Sequence, residues 1–169
     1  SDARVLRDAH LGSIWEGTSN IVALDVARAT RRTGALEALS SYVKGLLAEI
    51  SDGGDEVAEA RVLFERAAEL LENVAHDRAL ESDVRLAATA VYNATSMAIM
   101  LWEDAKLAQR SDYNGDRRIL AKAVAAHKLH TQDPLTTTST DGLSEAEVAG
   151  VLDRALGVTE NIAQQVAAQ

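Results

Sequence analysis

Apolar residues recur along most of the chain at alternating steps of three and four, which is the spacing of amphipathic α-helices. The pattern predicts helices over about 19–32, 36–50, 55–77, 82–110 and 116–131, and a last one after Ser144. Turn-forming residues separate them at Gly34, at 51–54 and at 111–115. We therefore predict an all-α fold, an antiparallel bundle of about five helices preceded by an extended motif segment and a short helix.

Local signals mark the two ends of the predicted bundle. Ser19 or Asn20 can cap the first helix, and Arg31 and Arg32 suit its C-terminal end. Residues 133–142 are rich in Thr, Ser and Asp and predict a flexible linker. Ser144 and Glu147 then have the spacing of a capping box, which predicts the start of the last helix.

Composition supports helices and narrows the classes of function. Aromatic residues make up only 4% of the chain, so Ala, Leu, Val and Ile carry its apolar content. The absence of cysteine excludes disulfides and thiolate metal sites, and it favours a reducing cytoplasm. Uninterrupted apolar runs are only a handful of residues long and no leader is visible, so we expect no membrane segment. A net charge of −9 disfavours nucleic acid as a partner.

The charge divides the chain at Gly34. Residues 1–34 hold five arginines against four acidic residues, whereas residues 35–169 hold 12 basic against 22 acidic residues. We predict a first unit over 1–34, which contains the motif loop and its helix, and an acidic α-helical extension over 35–169.

One short segment before the first helix differs from bundle sequence. Glu16 lies between a bulky Trp15 and Gly17, on a loop that opens a helix. Trp15 can exclude water from the carboxylate and raise its pKa toward that of a general base. Gly17 permits close backbone approach, and Thr18 and Ser19 with the first helical N–H groups can receive a phosphate. The alternative interpretation is a capped helix start with a buried Trp and a solvated Glu.

These residues match a known signature. Arg7-Asp8-Ala9, followed after a short spacer by Ile14-Trp15-Glu16-Gly17-Thr18-Ser19-Asn20-Ile21, closely resembles the C-terminal motif of flavin-dependent acyl-CoA dehydrogenases. The tryptophan in place of the commoner tyrosine, and the residues that follow, most resemble the AidB-like (adaptive-response) branch. The resemblance covers about residues 4–32, and the helical remainder fits that branch in architecture and length only.

The resemblance implies that the parent protein is an FAD-dependent oxidoreductase that dehydrogenates an acyl-CoA. Glu16 would be the base that removes the pro-R α-proton of the thioester, and its backbone N–H would help to hold the thioester carbonyl. The β-hydride would pass to flavin N5, leaving a trans-2-enoyl-CoA. Gly17 and Thr18 would lie along FAD, with Thr18 and Asn20 near its phosphate and adenosine portion. Trp15 would wall the acyl pocket.

The same resemblance implies that much of the catalytic site comes from elsewhere. The family builds its FAD and acyl-CoA sites from an N-terminal helical domain, a middle β-domain and most of a helical bundle, none of which precedes Ser1. We expect a C-terminal fragment that alone neither binds FAD nor turns over substrate, and that forms a homo-oligomer. The alternative is a non-catalytic helical module that caps or oligomerises an assembly.

Other polar groupings are expected to be structural. His127 and His130, followed by Asp133, have a permissible metal-ligand spacing, but we predict no metal site without a fuller ligand pattern. Residues 112–116 are predicted to form a turn and not a calcium loop. The twelfth position counted from Asp112 is Ala123, where a calcium loop needs a glutamate. Glu103 and Asp104 beside Trp102 are predicted to lie on a solvated face. Some AidB-like proteins associate with DNA through a basic C-terminal region, whereas this acidic extension disfavours DNA binding.

Overall fold

A computed structural model describes residues 19–51, 53–130 and 143–156 of the chain. The described residues form six α-helices and no strand. The helices are α1 (Ser19–Thr33), α2 (Ala35–Ala48), α3 (Gly54–His76), α4 (Val84–Leu107), α5 (Asp116–Val124) and α6 (Glu145–Leu156). A 3₁₀ helix, Arg78–Asp83, precedes α4, and a π-helical segment, Ala125–Leu129, follows α5. The predicted all-α helical fold is confirmed, while the antiparallel orientation of its helices stays a prediction.

Helix α4 lies at the centre of the bundle and contacts α1, α2, α3 and α5. Its buried side is made of small and apolar residues at helical spacing, which lets the neighbouring helices approach closely. These residues are Val84, Ala87, Val91, Ala94, Met97, Ala98 and Leu101. The neighbours supply larger side chains, of which Phe64 and Leu71 on α3 and Val43 on α2 are almost fully buried.

Helices α1 and α2 are separated by a single residue, Gly34. Its φ of +65° lies in the left-handed region, which glycine adopts without the clash that a Cβ would cause. The chain therefore ends one helix and begins the next within one residue. Ala23 and Ala27 of α1 belong to the same buried core as α3 and α4. The domain boundary predicted here stays a prediction.

The start of the fourth helix differs from the sequence-based expectation. A regular helix was expected from about residue 82, but the chain first forms a 3₁₀ helix and α4 begins at Val84. The Asp77 carboxylate accepts a hydrogen bond of 2.8 Å from the Ala79 backbone N–H, which fixes this tighter turn. The periodicity of apolar residues does not contain that local contact.

The fifth predicted helix, 116–131, is also modified. It begins at Asp116 as expected, but its second half is π-helical, and the His130 N–H donates to the Ala125 carbonyl at 2.9 Å. The wider turn buries two consecutive residues, Ala125 and Ala126. Residues 111–115 form the predicted turn, and Gly115 adopts a positive φ immediately before α5.

The capping box of the last helix is confirmed. The Ser144 hydroxyl accepts from the Glu147 N–H at 3.2 Å, and the Glu147 carboxylate accepts from the Ser144 N–H at 2.8 Å. Hydrogen bonds from the Ser144 backbone and hydroxyl hold the pKa of Glu147 below its ordinary value. An ion pair between Arg154 and Asp116 joins α6 to α5. The predicted linker, 133–142, lies outside the described residues.

We predict that Leu101→Ala destabilises the protein by about 2–5 kcal/mol, because Leu101 is 1% exposed and its truncation leaves a cavity in the core. Leu86→Ala is the matched control on the same helix, since Leu86 is 62% exposed and its truncation should cost less than about 0.5 kcal/mol. Urea denaturation measures both. Equal losses for the two variants would contradict the central position of α4.

Candidate functional site

Most of the motif residues lie outside the described part of the chain. Trp15, Glu16, Gly17 and Thr18 are not described, so their predicted roles stay predictions. Asn20 is described, and it is exposed in the first turn of α1. Ser19 and Asn20 are both helical, so neither acts as the predicted cap.

The bundle holds α1 firmly along one side. Ala23, Ala27 and Thr30 are buried, and the Thr30 hydroxyl donates back to the Val26 carbonyl at 3.0 Å. Near the C-terminal end of α1, the Arg31 guanidinium donates to the Ala75 carbonyl of α3 at 2.8 Å. The helix that follows the motif is therefore positioned by packing at its centre and by a hydrogen bond near its end.

An apolar groove lies between α1 and α4, beginning at the first residue of α1. Its volume is about 340 Å³. It is lined by Ser19, Val22, Ala23, Val26, Arg85, Ala88, Thr89 and Tyr92. Two of its large apolar side chains are exposed, Val22 at 42% and Tyr92 at 69%. The end of α1 nearest the motif thus presents apolar surface that the described residues do not cover.

The described residues contain no group of three or more side chains that could hold a metal ion. The His130 imidazole contacts the Glu59 carboxylate at 2.9 Å, and His127 lies in the π-helical segment. Asp133, the third member of the spacing considered from the sequence, lies outside the described residues. The two histidines therefore do not form a metal site with any described ligand.

The prediction of a solvated face at Glu103 and Asp104 is wrong for Asp104. Asp104 is only 5% exposed, whereas Glu103 is half-buried and pairs with Arg117 at 3.1 Å. Trp102 is half-buried, and its indole N–H donates to Glu49 at 2.9 Å. A charged residue three positions after Leu101 continues the buried stripe of α4, and that spacing was the available signal.

Asp104 forms the centre of a polar cluster that joins α4, α5 and the turn between them. The Tyr113 hydroxyl donates to one carboxylate oxygen at 2.7 Å, and Arg118 Nε donates to the other at 2.9 Å. The Tyr113 oxygen also accepts from the Arg117 backbone N–H at 2.9 Å. Both carboxylate oxygens of Asp104 are therefore satisfied despite its burial.

The cluster extends to α3 through Glu56. Arg118 Nη1 lies 3.5 Å and Lys122 Nζ 3.3 Å from the two oxygens of the Glu56 carboxylate. A hydrogen bond from its own backbone N–H, together with Lys122, holds the pKa of Glu56 below its ordinary value.

This arrangement does not provide acid–base catalysis near neutral pH. Burial, followed by the hydrogen bond to Asp104, raises the pKa of Tyr113 to about 12, so its hydroxyl keeps its proton and acts as a donor. The carboxylates of Asp104 and Glu56 are held by donors on both sides. A general base needs a free lone pair and a pKa near the working pH. The cluster fits a structural connection among α3, α4 and α5.

One described helical stretch, Arg78–Leu107, is long and apolar enough by length and composition alone to cross a membrane. It consists of the 3₁₀ helix and α4, whose apolar side packs against the other helices of the bundle. The core helix of a bundle has the same composition as a membrane span. The expected absence of a membrane partner stays a prediction.

Comparison with known proteins supports one family. The chain is 30% identical over 98 residues to "Acyl-CoA dehydrogenase family member 11" of Caenorhabditis elegans. The matched part is 56% of this chain and 16% of the relative, so the chain spans about a sixth of that protein's length. No protein-family profile and no solved structure matches the chain. The similarity supports a distant relation to acyl-CoA dehydrogenases and does not distinguish the AidB-like branch.

We predict that Asp104→Asn lowers the free energy of unfolding by about 2 kcal/mol, because Arg118 loses the nearer of its two charged partners, Asp104 and Glu56, in a partly buried position. The same variant should lower the pKa of Tyr113 from about 12, measured by ultraviolet absorbance at alkaline pH. Asp112→Asn is the matched control, since Asp112 pairs with Arg110 at the exposed surface and its change should leave the urea midpoint unmoved. An unchanged midpoint in Asp104→Asn would contradict the connecting role of the cluster.

Proposed function

We propose that this chain is the C-terminal part of an FAD-dependent oxidoreductase similar to acyl-CoA dehydrogenases, of the AidB-like branch. The observation that carries the proposal is the 30% identity over 98 residues to "Acyl-CoA dehydrogenase family member 11". It points to the same family as the motif Trp15-Glu16-Gly17-Thr18 with its preceding Arg7-Asp8-Ala9.

The bundle supports the proposal by positioning the helix that follows the motif. Buried contacts of Ala23 and Ala27 with the core hold α1, and the bond from Arg31 to the Ala75 carbonyl fixes its end. A base attached to a rigid element loses little entropy when it meets its substrate. The exposed Asn20 amide, in the first turn of α1, is compatible with contact to the phosphate or adenosine portion of FAD.

In the proposed reaction, Glu16 accepts the α-proton of an acyl-CoA thioester. Its own backbone N–H donates to the thioester carbonyl, so proton removal and stabilisation of the developing negative charge occur together. Trp15 excludes water from the carboxylate and walls the acyl chain, and Gly17, Thr18 and Asn20 hold the cofactor. FAD, when bound, supplies the hydride acceptor.

The proposal extends to a cytoplasmic homo-oligomer. The apolar surface around the groove of α1 and α4 supports association, because uncovered apolar area favours burial against a partner. The net charge of −9 weighs against nucleic acid as that partner.

A second candidate function is a non-catalytic helical module that caps or oligomerises a larger assembly. The observation that favours it is that the buried polar groups join helices to one another. Asp104, the most buried acidic residue within 19–51, 53–130 and 143–156, is hydrogen-bonded by Tyr113 and Arg118. The two candidates predict different behaviour of the longer protein.

We predict that Glu16→Gln, in the longer protein that contains this chain, lowers acyl-CoA-dependent dye reduction by about 100-fold or more. The amide cannot accept the α-proton, whereas its similar size should leave FAD bound. The flavin spectrum of the purified variant checks retention. An unmodified protein that reduces no dye would favour the helical module, and full activity of Glu16→Gln would contradict the role of Glu16.

We also predict that the 169-residue chain alone retains no FAD. The test adds FAD to the purified chain, removes free flavin by gel filtration and records the visible spectrum. Stoichiometric flavin in the protein fraction would show that these residues form the cofactor site by themselves.

A further inference from the structure

A second cavity lies at the opposite end of α1 from the motif. Its volume is about 470 Å³, within the usual range for small-molecule sites. It opens where α1 and α3 end and the 3₁₀ helix begins. Its apolar lining consists of Leu24, Ala27, Val74, Ala75 and Val84.

Three arginines line the same cavity: Arg31, Arg32 and Arg78. Arg31 uses one of its five N–H groups to bind the Ala75 carbonyl, which neutralises the negative end of α3. Within the described residues, the side chains of Arg32 and Arg78 make no hydrogen bond or ion pair. Several other basic side chains have acidic partners, among them Arg28, Lys44, Lys106, Arg110, Arg117 and Arg154. Within the described residues Arg61 and Arg66 also make no ion pair, so what distinguishes Arg32 and Arg78 is their place in the lining of a cavity.

The acidic groups at the cavity leave these arginines available. The Asp77 carboxylate accepts from the Ala79 N–H, and no described ion pair joins Asp77 or Glu81 to an arginine of the cavity. His76 lies beside Glu72 at 3.3 Å. Three arginines against two carboxylates give the lining a net positive charge in a chain whose total is −9. Such a local excess attracts anions.

We propose that this cavity binds a small organic anion. Its carboxylate or phosphate head group would be held by Arg32 and Arg78, whose planar guanidinium groups match both anions. Its apolar body would pack on Leu24, Ala27 and Val74. The inference rests on the bundle alone and is independent of the dehydrogenase proposal.

The test is calorimetric titration of the 169-residue chain with octyl phosphate, octanoate, inorganic phosphate and 1-octanol, each below its micelle concentration. We expect the two amphiphilic anions to bind at least about tenfold more tightly than phosphate or octanol, because only they use both parts of the cavity. The amide NMR signals of Ala27 and Ala75 should shift on binding. Added salt should weaken binding by screening the head group.

The double variant Arg32→Gln and Arg78→Gln should weaken octyl phosphate binding by about 100-fold, since each of the two lost charged hydrogen bonds costs about a factor of ten. The matched control, Arg61→Gln and Arg66→Gln, removes the same charge from exposed positions of α3 outside the cavity and should bind normally. Equal weakening in both double variants, or octanol binding as tight as octyl phosphate, would overturn the proposal.

Discussion

Close packing around the small residues of α4 is the constraint on which the other helices depend. Ala87, Ala94 and Ala98 are fully buried and bring neighbouring backbones near, while Phe64 and Leu71 of α3 fill the space between them. Because α4 contacts α1, α2, α3 and α5, a change in its buried side reaches every one of these helices. A substitution that changes the volume of a side chain by even one methylene group disturbs such an interior, because it contains few voids.

The polar cluster around Asp104 also joins helices, but through hydrogen bonds at a single place in the bundle. The hydrogen bonds that Asp104 accepts from Tyr113 and Arg118 offset the cost of burying its carboxylate. They also attach the turn between α4 and α5 to the core. Arg118 and Lys122 carry that attachment to Glu56 of α3. Surface pairs such as Arg110 with Asp112 lie in water and contribute little. In this protein the ion pair of Asp104 therefore stabilises the packing of the helices more than the exposed surface pairs do.

Helix α1 connects the two surfaces that bear on function. Its first residue lines the apolar groove with α4, and its last turn contributes Arg31 and Arg32 to the charged cavity near α3. Only one side of α1 is used to pack on the bundle, so apolar residues such as Ile21 remain exposed. Helix α1, which follows the motif around Glu16, thus contributes residues to the core, to the apolar groove and to the charged cavity.

The sequence by itself determined the helices, the capping box at Ser144 and the motif around Glu16, because these depend on local spacing and residue type. The 3₁₀ helix after Asp77 depends on a local hydrogen bond to Ala79 that the spacing of apolar residues does not contain. Tertiary structure decided the burial of Asp104, which requires Tyr113 and Arg118 to meet it across a turn. Arg31 lies 44 residues before Ala75, whose carbonyl it binds, and only folding brings two such distant groups together.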